Sequence, residues 1–197
     1  MDFPLLPFVA FAIAGSITPG PNVLMIAAAA ANSGLRATIP HMFGISTGFA
    51  AMILLVGLGL AVPLAAFPQL HHAMRWIGAA WIGWIAWQIA TSPPPGEGRR
   101  RPPLRFWGAA MFQWINPKAW LLALGMTTTW ANPDAALAPQ FAAMAGIFWL
   151  VGLPCNLAWA ALGEQAGRLL RTSAQLRAFN AAMAILLVVS MLPVLFG

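Results

Sequence analysis

The only lysine of this 197-residue chain lies inside an apolar segment, directly after a proline. Lys118 follows Asn116 and Pro117, about a dozen residues into the apolar run 106–131, which is roughly 18 Å along a helix. The alternative is that the Lys118 side chain extends its ammonium group to the membrane surface, and Lys118 lies deep for such an extension. A charge within an apolar segment is costly and indicates a functional site, to which Gln113 adds an amide.

A second polar interruption lies in the first apolar segment, at Pro19, Gly20, Pro21 and Asn22. Each proline removes a backbone N–H and clashes with the preceding turn, so a regular helix cannot continue through this stretch. Irregular backbone at membrane depth has to be satisfied by protein or by a water-lined cavity. We therefore interpret the break as one wall of a binding site, and a kink that only shapes packing is the alternative.

The two interrupted segments occupy corresponding positions in the two halves of the chain. Pro21 and Pro117 differ by 96 in residue number, and this offset places the first three apolar segments on the last three. Three helices per half is an odd number, so the halves must have opposite orientations in a membrane. Matching broken helices in inverted halves are typical of the central site of a secondary transporter. The half-helix N-termini after both prolines are expected to offer N–H groups to a carboxylate.

The composition places these elements in a membrane. The chain is 60% hydrophobic and only 7% charged, with a mean hydropathy of +0.77, which is too little charge for the surface of a soluble domain. Apolar runs near the membrane-spanning length of about 17–25 residues occur six times. We predict an all-α polytopic membrane protein whose six transmembrane helices form two inverted three-helix repeats, with helices 1 and 4 broken at mid-membrane. The runs are 3–31, 42–66, 74–90, 106–131, 141–162 and 178–196.

A basic, proline-rich linker at 92–105 divides the single predicted domain, 1–197, into repeat 1 (about 1–91) and repeat 2 (about 106–197). Cytoplasmic loops carry an excess of basic residues, so the odd-numbered connections are predicted to be cytoplasmic and both termini extracytoplasmic. This orientation accounts for the net charge of +6, and nucleic acid is not an expected partner. The odd-numbered connections contain Arg36, Arg99, Arg100, Arg101, Arg105, Arg168, Arg171 and Arg177, whereas the even-numbered ones contain only Arg75.

Three further polar residues each have two interpretations. Asn156 is an intramembrane amide that either lines the pathway or joins two helices by a hydrogen bond. Histidine as a residue type titrates near neutrality, so His41 either handles protons or is a solvated residue at the membrane interface. Glu164 is a second candidate for proton coupling, although its spacing from Arg168 also fits a structural i, i+4 ion pair.

Small residues and histidines complete the set of candidate features. Gly44 and Gly48 form a small-residue face that allows close helix packing, either within the chain or in a homodimer. The sequence places His71 and His72 in the outer loop beside Pro68, where no carboxylate or thiol accompanies them. Such a pair is a weak metal site, so we expect neither a metal nor a cofactor.

In order and spacing, several of these motifs resemble the LysE/RhtB family of bacterial amino-acid exporters. The resemblance extends over essentially the whole chain. It implies export of an amino acid or close derivative from a bacterial inner membrane, in exchange for protons. It assigns the family's motif residues to Pro19, Gly20 and Pro21 and to Asn116, Pro117 and Lys118. The motifs that carry it are Pro19-Gly20-Pro21, Gly34-Leu35-Arg36, Gly44 with Gly48, Trp76-Ile77-Gly78-Ala79-Ala80-Trp81, and Asn116-Pro117-Lys118.

The chain departs from the family pattern in two respects. Trp81 stands where a tyrosine is usual, and the chain contains no tyrosine. Many members of the family place an acidic residue within the membrane, whereas no acidic residue of this chain lies deep in an apolar segment. His41, Lys118 and Glu164 are therefore the candidates for proton coupling.

The sequence thus predicts a secondary active exporter that binds its solute between the two breaks, embedded in a lipid bilayer. Pro19, Gly20, Pro21 and Asn22 form one wall of the predicted pathway. Three alternatives remain: an exporter of another small solute or cation, a membrane accessory subunit that transports nothing, and an intramembrane enzyme with Cys155 as its nucleophile. The other predicted pathway residues are Gln113, Asn116, Pro117, Lys118 and Asn156.

Overall fold

A computed structural model describes residues 3–60, 68–93, 102–170 and 172–192. Within these ranges the chain is helical and contains no strand, which confirms the predicted all-α class. A π-helical turn at Val56–Leu60, kinked at Gly59 where φ is +113°, follows the third helix, and a 3₁₀ turn at Gln113–Ile115 follows the fifth. The α-helices in these ranges are α1 (Leu5–Ile17), α2 (Pro21–Ser33), α3 (Leu35–Leu55), α4 (Pro68–Ala90), α5 (Phe106–Phe112), α6 (Pro117–Thr129), α7 (Leu137–Leu169) and α8 (Ser173–Val189).

Both predicted helix breaks are present. Helices α1 and α2 meet at a bend of 52° across residues 18–20. In the second half, the 3₁₀ turn and Asn116 separate α5 from α6. Pro21 and Pro117 are the first residues of α2 and α6, a position at which the missing N–H removes no intrahelical hydrogen bond. Each proline therefore begins a new half-helix and does not merely kink a continuous one.

Several helices extend beyond the apolar runs. Helix α3 begins at Leu35 and not at 42, while α7 covers Leu137–Leu169 and not only 141–162. Helix α8 begins at Ser173, before the predicted 178, because the side chain and backbone of Thr172 form a capping box with those of Gln175. Hydropathy reports where a segment is apolar, whereas hydrogen bonds and caps decide where the helix ends.

The prediction that His71 and His72 lie in a loop is wrong. Both belong to α4, which begins at Pro68 and not at 74. Proline is favoured in the first turn of a helix, so Pro68 starts α4 and does not mark the end of a loop.

Two helices within the described ranges are long and apolar enough to cross a membrane. They are α3 together with its π-helical extension and α7, and the bent pair α1–α2 makes a third if it is counted as one span. Large apolar side chains point outward, and Leu6, Leu121 and Trp107 are 80%, 72% and 73% exposed. An extensive apolar surface of this kind is suited to contact with lipid.

Glycines bring the half-helices next to the breaks into close contact with the long helices. A side-chain carbon added at any of four glycines would overlap main-chain atoms of the facing helix, so these helices pack backbone to backbone. Gly44 with Gly48 on α3 and Gly163 with Gly167 on α7 thus form two small-residue faces that pack within the chain. The contacts are Gly44 of α3 with Phe106, Gly48 of α3 with Ala110 of α5, Gly163 of α7 with Ala27 of α2, and Gly167 of α7 with Ala31 of α2.

Candidate functional site

The first break leaves carbonyl groups at the end of α1, and other helices satisfy them. Trp159 of α7 donates its indole N–H to the Ile17 carbonyl over 3.0 Å. The Lys118 ammonium donates to the Thr18 carbonyl at 2.7 Å and to the Thr18 hydroxyl at 2.8 Å. The C-terminal end of a helix carries the negative end of its dipole, so a cation at this position is stabilised. The only lysine of the chain therefore joins α6 to the end of α1.

The second break is capped from within. The Asn116 side chain accepts a hydrogen bond from the Lys118 backbone N–H at 3.2 Å. The Asn116 backbone carbonyl accepts from the N–H groups of Ala119 and Trp120. The Trp120 indole N–H donates to the Trp114 carbonyl over 2.8 Å. The first amides of α6 are therefore already engaged, which corrects the expectation that they are open to a carboxylate. This capping is the N-cap role that asparagine favours.

The start of α2 differs from the start of α6. Gly20 precedes Pro21 without a side-chain cap. Leu24 donates its N–H to the Gly20 carbonyl, whereas the backbone N–H groups of Asn22 and Val23 have no acceptor within the described chain. Between the two half-helix N-termini, that of α2 is thus the one with amides available to a carboxylate.

Two side-chain amides connect the breaks directly. Asn22 donates to the Gln113 carbonyl oxygen over 2.9 Å, and Gln113 donates back to the Asn22 oxygen over 3.1 Å. Gln113 is fully buried and also donates to the Ala109 carbonyl at 2.9 Å. This reciprocal pair satisfies buried polar groups and ties the first turn of α2 to the end of α5.

A cavity of about 50 Å³ lies where the two breaks meet, and we refer to it as the central cavity. A single water needs about 10–15 Å³ on this measure, so there is room for about three to five waters. Lys118 is the only charged side chain among the described residues that line it. Six of the predicted pathway residues belong to the lining, namely Gly20, Asn22, Gln113, Asn116, Lys118 and Asn156.

The three prolines that were predicted to line the pathway do not border the central cavity. Pro19, Pro21 and Pro117 are not among the described lining residues. They act on the backbone: Pro21 and Pro117 start the half-helices, and Pro19 lies exposed in the first break. The prolines therefore shape the cavity without lining it.

Several cavity residues were not predicted from the sequence. Thr18 holds the Lys118 ammonium, and Ser46 of α3 accepts a hydrogen bond of 3.4 Å from Asn156. Phe49 and Phe148 contribute an apolar wall from α3 and α7. Thr18 borders the motif in the sequence and could have been found there, whereas the other three come from helices that only the fold brings to the breaks.

His41 lies apart from the central cavity. Its side chain is 1% exposed, and neither ring nitrogen has a hydrogen-bond partner in the described part of the chain. It lines a second cavity of about 80 Å³ between the C-terminal half of α2, the end of α4 and the residues before α5. We refer to this space as the linker-side cavity.

Glu164 lines neither cavity. Its carboxylate accepts the Leu35 backbone N–H at 3.2 Å and forms an ion pair of 3.2 Å with Arg168. Leu35 begins α3 directly after Gly34, whose φ of +82° is readily adopted only by glycine. Glu164 thus stabilises the tight turn between α2 and α3 by joining it to α7.

The groups at this site are of the kinds that bind small solutes. Within the described lining of the central cavity there are amides, hydroxyls and one ammonium group, but no carboxylate and no thiol. Cys155 is buried in α7 and is not part of that lining. A single positive charge among neutral hydrogen-bonding groups is suited to a small solute that carries a carboxylate.

Comparison with known proteins points to the same class. The family model for LysE type translocators matches residues 13–194. Among curated proteins, the cysteine/O-acetylserine efflux protein of Salmonella typhimurium strain LT2 is 34% identical over 185 residues, covering 93% of each chain. The protein of that name from Escherichia coli K12 is 31% identical over the same share. No solved structure matches significantly. The chain therefore belongs to the LysE type translocator family and is a membrane transporter, not an enzyme.

Proposed function

We propose that this chain exports small neutral amino acids or their close derivatives, with cysteine and O-acetylserine as the first solutes to test. The observation that carries the proposal is the Lys118 ammonium, the only charge among the described residues of the cavity between two broken helices. The curated relatives, which are named for the efflux of these two compounds, support the choice of solutes.

The proposed bound state begins with an exchange of partners at Lys118. The α-carboxylate of the solute replaces Thr18 as the acceptor for the ammonium group, which now donates to the Thr18 carbonyl and hydroxyl. The unengaged N–H groups of Asn22 and Val23 lie at the positive end of α2 and supply further donors. A charged hydrogen bond of this kind contributes about 1.5–3 kcal/mol.

The remaining parts of the solute have matching groups in the cavity. The oxygens of Asn22 and Gln113, together with the Thr18 carbonyl once it is released, can accept hydrogen bonds from an α-amino group. Phe49, Phe148 and Gly152 border the space left for a short side chain. The small volume favours a compact side chain, and the lack of a described carboxylate in the lining disfavours a cationic solute.

Proton exchange is the proposed source of energy, with Lys118 as the coupling residue. It is the only titratable side chain in the described lining of the central cavity. Glu164 is already bound to Leu35 and Arg168 at the turn before α3, which argues against a coupling role for it. His41 lines the linker-side cavity and is considered below.

The proposed architecture is a pair of inverted three-helix repeats, about 1–91 and 106–197, in a bacterial inner membrane. The arginines favour an orientation with the 92–105 linker in the cytoplasm and both termini outside. Alternating access then comes from movement of one repeat against the other, which must break the Lys118–Thr18 and Asn22–Gln113 contacts.

Uptake into inverted membrane vesicles tests the proposal. An exporter in this orientation moves radiolabelled cysteine or O-acetylserine into the vesicle lumen when a proton gradient is present. We expect accumulation above that of vesicles without the protein, and its loss when an uncoupler is added. Equal uptake with and without the protein, for these solutes and for a panel of other neutral amino acids, would overturn the proposal.

A further inference from the structure

The linker-side cavity contains a polar group that the fold leaves unsatisfied. His41 is buried, and both of its ring nitrogens lack a partner in the described chain. A neutral imidazole carries one N–H donor and one lone pair, and leaving such groups unpaired in the interior is unfavourable. Buried polar groups are usually paired, so this exception requires an explanation.

The surroundings of His41 indicate what could pair with it. Ser33, Gln88 and Ser92 line the same cavity, which measures about 80 Å³. That volume is larger than the central cavity and gives room for about five to eight waters at 10–15 Å³ each. The lining therefore combines neutral donors and acceptors with a larger apolar part, which includes Met25 and Ile85, around a space large enough for a small ligand.

The charge of the lining limits the class of ligand. None of the described lining residues is arginine, lysine, aspartate or glutamate. Among these described residues, a solute with a net charge has no ionic partner to replace its hydration, and the loss of that hydration is costly. A zwitterionic amino acid, which has no net charge, meets a smaller penalty, because its two opposite charges offset each other and neutral donors and acceptors replace part of the hydration of each.

The linker-side cavity and the central cavity both border helix α2. Asn22, in the first turn of α2, borders the central cavity, and Met25, Ala29 and Asn32 on the same helix border the linker-side cavity. The ten residues from Asn22 to Asn32 span about 15 Å of helix. Pro102, which lies within the 92–105 linker, belongs to the linker-side lining.

We propose that the linker-side cavity is a second binding site, which takes up a small, net-uncharged, hydrogen-bonding solute through His41 before it reaches Lys118. This inference rests on the proposed export function, since the solute is the same. It assigns to His41 a solute-binding role in place of the proton-coupling role considered from the sequence.

Nuclear magnetic resonance of His41 tests this site. The chain has three histidines, so a His71→Gln, His72→Gln variant labelled with ¹⁵N-histidine reports on His41 alone. We expect O-acetylserine to shift the ring nitrogen signals in a saturable manner, and the shift to persist in Lys118→Gln, in which the central cavity has lost its charge. In Gln88→Leu, the solute concentration for half of the shift should rise about 2–10-fold, as expected for one lost neutral hydrogen bond.

The outcomes separate the two proposals. If Lys118→Gln abolishes vesicle uptake while the His41 signals never respond to the solute, the second site is wrong and the export function stands. If the His41 signals shift but the wild type transports nothing, the second site stands and the export function is wrong. A His41 response that disappears in Lys118→Gln means that His41 senses the central cavity, and it also overturns the second site.

Discussion

At the scale of single residues, the account depends on Lys118. Its ammonium is held by the carbonyl and hydroxyl of Thr18 across the two breaks. Lys118→Gln keeps a hydrogen-bonding side chain and removes the charge, so a solute carboxylate loses about 1.5–3 kcal/mol of interaction. We expect uptake at low solute concentration to fall about 10–100-fold, as measured in inverted vesicles containing equal amounts of protein.

The control for Lys118 lies one turn further along α6. Leu121 is 72% exposed on the outer surface, so Leu121→Ala changes lipid-facing area and no contact of the cavity. It should transport as the wild type does. Normal transport by Lys118→Gln would show that no charge is needed in the cavity.

Gly20 provides a second test that leaves Lys118 itself intact. A Cβ at this position would lie 2.8 Å from Lys118 Cδ, which is closer than such atoms approach. Because the lysine side chain is flexible, Gly20→Ala should fold normally but displace the ammonium from Thr18. We expect at least a several-fold loss of uptake without a change in thermal stability.

Gly125→Ala is the matched change on α6, because no atom of another described element lies within 4 Å of its Cβ position. It should leave both uptake and stability unchanged. If Gly20→Ala transported normally, the position of the ammonium at Thr18 would not matter for transport.

At this scale the sequence predicted the motif residues better than their partners. Asn22, Gln113, Asn116 and Lys118 stand out because polar residues are rare in apolar segments. The partners of Asn156 and Lys118 are hydroxyls, Ser46 and Thr18, and a hydroxyl in an apolar segment is too common to single out. Which hydroxyl faces a cavity is decided by the packing of helices distant in sequence.

At the scale of elements, close packing of α3 on α5 fixes one side of the second break. A Cβ at Gly48 would lie 2.6 Å from the Cα and carbonyl oxygen of Ala110. Since main-chain atoms cannot yield as a flexible side chain does, Gly48→Ala should separate the helices at a cost of about 1–3 kcal/mol. A thermal unfolding scan in detergent should show a Tm lower by about 2–4 °C per kcal/mol.

Gly146 in α7 provides the comparison for Gly48, because no atom of another element in the described part of the chain lies within 4 Å of its Cβ position. Gly146→Ala should unfold at the wild-type temperature. If Gly48→Ala were as stable as Gly146→Ala, the backbone contact between α3 and α5 would be looser than described.

Helix breaks could be predicted from the sequence because their cause is local. A proline lacks its N–H wherever it lies, so Pro21 and Pro117 indicated both interruptions. Helix ends depend on tertiary partners as well. Helix α3 begins at Leu35, outside the apolar run, where Glu164 from α7 accepts the Leu35 N–H. Such a cap from a residue 129 positions away is not visible in the local sequence.

At the scale of the whole molecule, orientation in the membrane is the prediction with the clearest test. Cys155 is the only cysteine, so Cys155→Ser gives a background without thiols. In this background, Gly98→Cys in the 92–105 linker should react with a membrane-impermeant maleimide only from the cytoplasmic side. Asp134→Cys, between α6 and α7, should react only from outside. Labelling of both from one side would exclude the proposed orientation.

The overall class of the molecule could be predicted from the sequence, whereas fewer described helices qualify as membrane spans than the six that were predicted. Low charge and long apolar runs are properties of the whole composition, and they indicated a helical membrane protein. By length and hydropathy, two described helices qualify as spans, or three with the bent pair α1–α2. The broken segments fall short of this measure individually, because a break divides one crossing into two short helices.

The central claim, that a solute carboxylate binds Lys118 between the two breaks, can be measured directly. With ¹⁵N-lysine labelling, the single lysine gives one Nζ signal from the whole protein. Titration with O-acetylserine should shift this signal saturably, with half of the shift near the concentration that half-saturates uptake, as the ammonium leaves Thr18 for the carboxylate. An Nζ signal that does not move at solute concentrations that saturate transport would contradict the account.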